Sequence, residues 1–274
     1  MKIKWVSYPY LVWMMIFVVV PLLLVIYFSL TITDGGVTKF SLANYEKFFE
    51  PIYIKVLLRS IYLALISTVF CLALGYPLAM ILASKEMSRK NFLILLFVLP
   101  MWMNFLLRTY AWMTLLERRG LINTFLSYIN LPPLEILYTN EAVVLGMIYN
   151  FLPFMVLPIY SVLRKIDPYV IEAAEDLGAN SLTVFLKVIF PLSLPGVVSG
   201  ITMVFMPAVS TFVISRLLGG GQFTLIGNLI EQQFLTVGDW NFGSALSIVM
   251  MILILFSMAA MARYEKDYEG GGLW

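Results

Sequence analysis

Long apolar runs dominate the chain and are separated by short polar stretches. Six of them lie at about 9–30, 61–83, 92–116, 142–163, 195–214 and 243–262. A helix rises about 1.5 Å per residue, so roughly 20 residues cross a hydrocarbon layer about 30 Å thick, and each run is long enough. The period-two alternation of membrane strands is missing, so all six are expected to be helices. The first run follows Lys2 and Lys4, as a secretion signal would. It exceeds a signal's apolar segment and lacks a small-residue cleavage pattern, so it is read as a retained anchor. Two connecting segments are amphipathic. Residues 40–58 carry Phe40, Leu42, Tyr45, Phe48 and Phe49 at near-helical spacing, which predicts a short helix in the membrane interface. After Gly219, Gly220 and Gly221, the stretch 222–235 places Phe223, Ile226, Leu229, Ile230 and Phe234 on one face. For both segments the plainer reading is a lipid-facing amphipathic helix. The alternative is a platform for a soluble partner outside the membrane.

Composition narrows the class. Of 274 residues, 61% are hydrophobic and 12% charged, with a mean hydropathy of +0.91. A soluble domain carries about 25% charged residues. One water-soluble core has no room for so many apolar side chains, which excludes a soluble enzyme, a disordered chain and a secreted disulfide scaffold. The chain is expected to be all-α, a polytopic membrane protein with six transmembrane helices in a single domain. Histidine is absent and Cys71 is the lone cysteine, so neither an intrachain disulfide nor a His- or Cys-based metal site is expected. A net charge of +2 is too small to argue for nucleic acid.

Charge also orients the spans. Lys2, Lys4, Lys85, Arg89, Lys90, Arg164, Lys165, Lys187, Arg263 and Lys266 fall on one side of a six-span topology. Lys39, Lys47, Lys55, Arg59, Arg118, Arg119 and Arg216 fall on the other, over longer loops. The denser side is cytoplasmic by the positive-inside rule, which places both termini there. Pro21, Pro77, Pro100, Pro153, Pro158 and Pro207 lie in or near the spans, where an interior proline removes a backbone hydrogen bond and favours bending. No Asp or Glu lies deep in an expected span. Arg108 lies in the third, facing the protein interior or snorkelling to the outer interface, and Arg216 ends the fifth. Proton-coupled transport ordinarily uses a buried carboxylate or histidine, so a stand-alone secondary transporter is disfavoured. No P-loop pattern occurs, and the dipeptide Gly-Lys is absent, so ATP hydrolysis is expected in another polypeptide.

The most informative stretch is the fourth loop, 164–194. Asp167 followed by Pro168 predicts an N-cap and first helical residue. Val170, Ile171, Ala174 and Leu177 make an apolar face, Gly178 is expected to end the helix in a left-handed turn, and Ser181 to cap the next. Leu182, Phe185, Val188 and Ile189 give a second apolar face before Pro191 and Pro195. The expectation is two short amphipathic helices in a compact knob. Glu172-Ala173-Ala174, three residues, Gly178, nine residues and Val188-Ile189-Phe190-Pro191 resemble the EAA loop of ABC importer permeases, with Val188 and Phe190 replacing the usual Ile and Leu. Asn44-Tyr45, Gly75-Tyr76-Pro77, Leu152-Pro153-Phe154-Met155, Gly219-Gly220 and Ile226-Gly227-Asn228 are similar in order and spacing to the spermidine/putrescine branch of that family. Arg216 departs from it, standing where some relatives carry an acidic residue.

The resemblance implies a type I importer architecture in the bacterial inner membrane. It assigns Glu172, Ala173, Ala174, Gly178, Ala179 and Leu182 to a surface that docks on an ATPase subunit. It also implies two ATPase subunits, a second homologous permease and an extracytoplasmic binding protein that delivers a polyamine. ATP would be bound by the partner subunits, with no cofactor or metal in this chain. Trp102, Tyr110, Tyr149 and Phe154 are candidates for cation–π contact with a passing polyamine. Asn104 and Asn150 are the polar candidates for the path, because an unpaired amide in lipid is costly. Another small solute as cargo stays open.

Overall fold

In a computed structural model, residues 8–34, 37–84 and 91–270 are described. Lys2, Lys4, Lys85, Arg89 and Lys90, part of the charge count that orients the chain, lie outside them. In chain order, α1 is Tyr8–Ser29, interrupted by a π-helical turn at Met15–Val19. A hairpin of β1 (Thr31–Asp34) and β2 (Val37–Phe40) follows, then α2 (Ala43–Phe48) and α3 (Pro51–Ala83). The middle of the chain holds α4 (Asn91–Val98), a 3₁₀ turn at Leu99–Trp102, α5 (Phe105–Leu116), α6 (Leu121–Tyr128) and α7 (Asn140–Leu163). The remainder is α8 (Pro168–Asp176), α9 (Ser181–Ser210), α10 (Val213–Leu218), α11 (Ile226–Gln232) and α12 (Trp240–Gly270).

Five helices are long and apolar enough to cross a membrane: α1, α3, α7, α9 and α12 within Trp240–Met261. The third expected span, 92–116, is not one helix. Pro100 lacks the N–H that would continue α4, Met103 is extended, and Asn104 starts α5 afresh by accepting a hydrogen bond from the Leu106 N–H at 2.8 Å. The third crossing is therefore a broken helix. Other prolines behave differently: Pro77, Pro153, Pro158, Pro195 and Pro207 all sit inside continuous helices. The hairpin is a small departure from an all-helical chain, antiparallel with Thr31 opposite Phe40 and Asp34 opposite Val37.

The centre is a three-helix packing of α3, α7 and α9, on which α12 lies against α9 and α1 against α12. Cys71, Met147, Met155, Val156, Ile159 and Val204 are buried there. The side chains of α1 before Ser29 are exposed or half-buried, as expected of a helix facing lipid. Its far end is fixed by amides. Asn44 Nδ2 donates to the carbonyl oxygens of Thr31 at 2.9 Å and Ser29 at 3.3 Å, and Asn241 Nδ2 donates to that of Thr31 at 2.6 Å. The Tyr45 hydroxyl adds a bond to Ser29 Oγ at 3.0 Å. Likewise Tyr76 and Ser193 share a hydroxyl–hydroxyl bond of 2.8 Å between α3 and α9.

The two amphipathic connectors differ in outcome. On α2, Phe48 is buried against the bundle while Phe40, Leu42 and Phe49 stay exposed, and Lys47 reaches Asp239 at 3.5 Å. The 222–235 segment is the larger surprise. Instead of facing lipid, α11 is wedged among α3, α9, α10 and α12, with Leu225, Ile226 and Leu229 buried. Gly227 sits directly on the backbone oxygens of Ser210 and Thr211. The Ile226 N–H, an orphan donor of the first turn, is satisfied by Ser60 Oγ at 2.8 Å, and that hydroxyl donates in turn to the Val56 carbonyl at 2.9 Å. Replacing Ser60 with Ala leaves this buried N–H unpaired, at a cost of about 1–3 kcal/mol. The expected result is a lower unfolding temperature of the purified protein; an unchanged one refutes this anchoring.

Candidate functional site

The loop between α7 and α9 is built as its sequence dictates at one end and differently at the other. Asp167 caps α8, its carboxylate accepting from the Tyr169 N–H at 3.0 Å with Pro168 at the first helical position. Gly178 closes α8 with φ +83°. The Gly178 N–H donates to the Glu175 carbonyl at 2.8 Å and the Ala179 N–H to that of Ala174 at 3.1 Å. This pair of bonds is a Schellman closure, which needs a left-handed residue at the glycine position. The next helix is capped by Asn180 rather than Ser181: Asn180 Oδ1 accepts from the Thr183 N–H at 2.8 Å. Nor is that helix short and separate. It runs from Ser181 through a π-helical turn at Phe185–Ile189 into the fifth span, so the knob is one free helix joined by a glycine hinge to the end of a long one. Tyr76 packs its ring against Phe185 and Phe190, with centroids 5.8 Å away in each case, and so ties this turn to α3.

The expected apolar face of α8 divides in two. Ile171 turns toward the bundle and lines a cavity of about 160 Å³ with Met80, Ala83, Leu163, Ile166 and Ile189. Tyr169, Val170, Leu177 and Leu182 point outward, Leu177 being 89% exposed. Glu172 and Ala173 are exposed beside them, Ala174 and Ala179 half-buried. The arrangement is a rigid stub with an apolar outer surface and acidic flanks, fixed at both ends by hydrogen-bonded caps. It carries shape and position, and the described residues hold no cluster of His, Cys, Asp and Glu able to ligate a metal.

The six aromatic and amide candidates are not gathered around one cavity. Trp102 is exposed on the 3₁₀ turn, and Asn104 spends its side-chain oxygen on capping α5. Tyr110 points outward from α5, while Tyr149 packs edge-on against Trp112 at 5.3 Å. Phe154 is exposed on α7. Asn150 is 1% exposed inside the bundle; its Nδ2 donates to the Gly146 carbonyl at 2.9 Å, and its Oδ1 has no hydrogen-bond partner among the described residues. Arg108 faces the interior at 8% exposure, and its Nε has no hydrogen-bond partner among the described residues.

Reading the sequence missed one group. Glu231 lies outside every expected span, yet the burial of α11 leaves its side chain 15% exposed, paired with Arg216 at 2.6 Å. The signal is the position of Glu231 three residues after Asn228, on the polar edge of a segment whose pattern favours a surface helix.

Comparison with known proteins agrees with this architecture. Residues 55–269 match the family described as the inner membrane component of binding-protein-dependent transport systems. The chain is 42% identical over 266 residues to the Escherichia coli spermidine/putrescine transport system permease protein PotB, covering 94% of this chain and 97% of the relative. Two crystal structures share the fold at 18% identity. One, a bacterial ABC transporter importing the acidic polysaccharide alginate, matches with a TM-score of 0.79 over 96% of both chains. The other is a bacterial alginate ABC transporter in complex with a periplasmic protein bound to an alginate pentasaccharide. It matches with a TM-score of 0.78 over 97% of this chain and 96% of the other. The helical bundle is thus that of a transport permease, and the chain belongs to the inner membrane components of binding-protein-dependent ABC importers.

Proposed function

We propose that this chain is the permease subunit for uptake of spermidine, putrescine or a closely related polyamine. The observation that carries the cargo is the kinship with the PotB permease along nearly the whole of both chains. In this reading a soluble extracytoplasmic protein selects the polyamine, and a second, homologous permease completes the pathway. Two ATPase subunits grip the pair from the cytoplasm, and ATP binds to them.

The α8 stub supports the coupling role. A partner cleft that covers Leu177 and Leu182 removes apolar surface from water, which stabilises a contact by about 1.5–3 kcal/mol for each fully buried side chain. Glu172, Ala173, Ala174, Gly178 and Ala179 are the rest of that docking surface. Closure of the ATPase pair pushes on the stub, and the motion passes into α9 because that helix begins at the hinge. Both termini belong on the same side as the stub by the charge count. Trp102, Tyr110, Tyr149 and Phe154 keep exposed ring area for a cationic cargo in the assembled pair; Asn104 spends its side-chain oxygen on capping α5, whereas Asn150 keeps an unpaired Oδ1 among the described residues.

The test is uptake into proteoliposomes that contain the assembled complex, with ATP inside and the binding protein outside. Labelled spermidine is expected to accumulate only with ATP, and excess putrescine to compete where an amino acid or alginate oligomer does not. Accumulation by the isolated chain down a proton or sodium gradient would overturn the coupling. Indifference of the whole complex to polyamines would overturn the cargo.

A further inference from the structure

The fifth span stops being helical at Thr211 and Phe212 and restarts as α10, and α11 fills the notch this leaves. Asn228 welds α11 to the restart. Its Oδ1 accepts from Ser215 Oγ at 2.5 Å and its Nδ2 donates to the Phe212 carbonyl at 2.8 Å. Three residues on, so on the same side of α11, Glu231 accepts from Arg216 Nη2 at 2.6 Å. Glu231 also lines a groove of about 540 Å³ walled by Phe212, Ile230, Met250, Met251 and Leu255. Ser210 and Ser247 complete its polar lining, but their hydroxyls are spent on the Met206 and Gly243 carbonyls of their own helices. Glu231 is thus the charged side chain of an otherwise apolar groove among the described residues.

The pair is unequal. Glu231 has 15% of its side chain exposed and Arg216 57%. The carboxylate is largely withdrawn from water and needs a cation beside it, because a withdrawn charge without a partner is strongly disfavoured. The guanidinium is mostly hydrated, sits on a long flexible stem and loses little by swinging away. The welding of α10 to α11 belongs to Asn228, so the ion pair is not needed for it.

We propose that Glu231 is a cation subsite at which an ammonium group of an oligoamine takes the place of the Arg216 guanidinium, its methylene chain lying on the Met250, Met251 and Leu255 wall. The exchange keeps the groove neutral before, during and after occupancy. Arg216 then returns, which prevents the cargo from being trapped by an uncompensated carboxylate. This accounts for a cation at position 216 in a protein that handles cations: it is a tethered stand-in for the cargo, not a repulsive guard. The inference rests on the polyamine reading above and adds the atom that holds the cargo.

The test is equilibrium binding of labelled spermidine to the purified permease–ATPase complex without the extracytoplasmic protein. Glu231→Gln, nearly the same size, is expected to weaken binding roughly tenfold, as loss of a charge-assisted contact does. Arg216→Gln is expected to tighten it several-fold, since no resident cation remains to be displaced. Glu231→Asp keeps the charge and should bind at an intermediate level. An ion pair that merely staples α10 to α11 makes both neutral variants bind worse or assemble worse together. That parallel result, or unchanged binding in Glu231→Gln, overturns the subsite. If Glu231→Gln fails to assemble, tightening in Arg216→Gln still upholds the proposal, and weakening there still refutes it. Spermidine uptake by the wild-type complex is scored separately: its failure refutes the cargo, whereas intact uptake with no wild-type binding refutes the subsite alone.

Discussion

Replacing Gly178 with Val should abolish transport while leaving the chain inserted and folded. The backbone at 178 has φ +83°, and a Cβ placed there meets nothing within 4 Å. The penalty is therefore conformational rather than steric crowding from neighbours. A left-handed conformation costs an L-residue about 1–2 kcal/mol, and a β-branched side chain stands at the upper end or beyond. About 2 kcal/mol is roughly a thirtyfold shift between the closed turn and alternatives that lack it. The two hydrogen bonds that end α8, from the N–H groups of Gly178 and Ala179, are what the shift removes. The nine-residue α8 then keeps only the bond from the Leu177 N–H to the Ala173 carbonyl at this end, so Tyr169, Val170 and Leu177 lose their fixed positions relative to α9. The expected result is loss of ATPase co-purification and of uptake, with normal membrane yield. Asn tolerates the left-handed region, so Gly178→Asn should restore much of both. Full uptake and full ATPase retention in Gly178→Val would show that the turn is not part of the coupling.

This loop was legible because its signals are local. A cap followed by proline, an apolar run and a glycine each act over one helical turn, and the Asp167 and Gly178 geometries follow from them directly. What lay beyond was continuity. The stretch 181–190 reads as a separate helix because Pro191 and Pro195 follow it, yet Pro191 stands in the first turn of the α-helical stretch Phe190–Ser210, where a proline leaves most of the ladder intact. The π-helical turn at Phe185–Ile189 lets the two stretches join. Asn104 shows the converse. An amide in an apolar run reads as a candidate for the path, and its position four residues after Pro100 also makes it a cap at the break.

The groove beside Glu231 was hidden for a different reason. In a soluble protein an apolar helix face points to the core. In a membrane protein lipid and protein interior are equally apolar, so the same face is compatible with both. The pattern of Phe223, Ile226, Leu229, Ile230 and Phe234 thus defines a helix without saying what it packs on. Gly227 and Ser60 decide the matter, one by allowing contact with the Ser210 and Thr211 backbone and the other by capturing the Ile226 N–H across 166 residues of sequence. Neither is visible as periodicity. Once α11 is buried, a glutamate that looked surface-bound becomes a withdrawn charge, and Arg216 changes from an anomaly into its counter-ion.

The packing of α7 on α9 gives the second large effect, and it can be graded. Gly196 and Gly200 are four residues apart, so they share one face of α9, which approaches α7 over Met155 to Ile159. Without a hydrophobic driving force between helices in lipid, such close backbone approach is a main source of association. A Cβ on Gly196 would lie 2.9 Å from the Pro158 carbonyl oxygen and 3.0 Å from Ile159 Cα, both backbone atoms. On Gly200 its nearest neighbour is Met155 Sδ at 2.8 Å, the flexible end of a side chain, with the Met155 carbonyl oxygen at 3.1 Å. Room on the far side of α7 is also limited, since Gly75 of α3 already brings its backbone against Met155 and Val156. Gly200→Ala should therefore carry some cost, met first by the confined side chain of Met155, whereas Gly196→Ala presses on backbone and must move a helix. Overpacking of this kind costs about 1–3 kcal/mol, so Gly196→Leu is expected to prevent recovery of folded complex. Thermal unfolding of detergent-solubilised complexes should rank wild type above Gly200→Ala and Gly200→Ala above Gly196→Ala. Should Gly196→Ala match wild type or outlast Gly200→Ala, the close contact of these two backbones would not be what holds the bundle together.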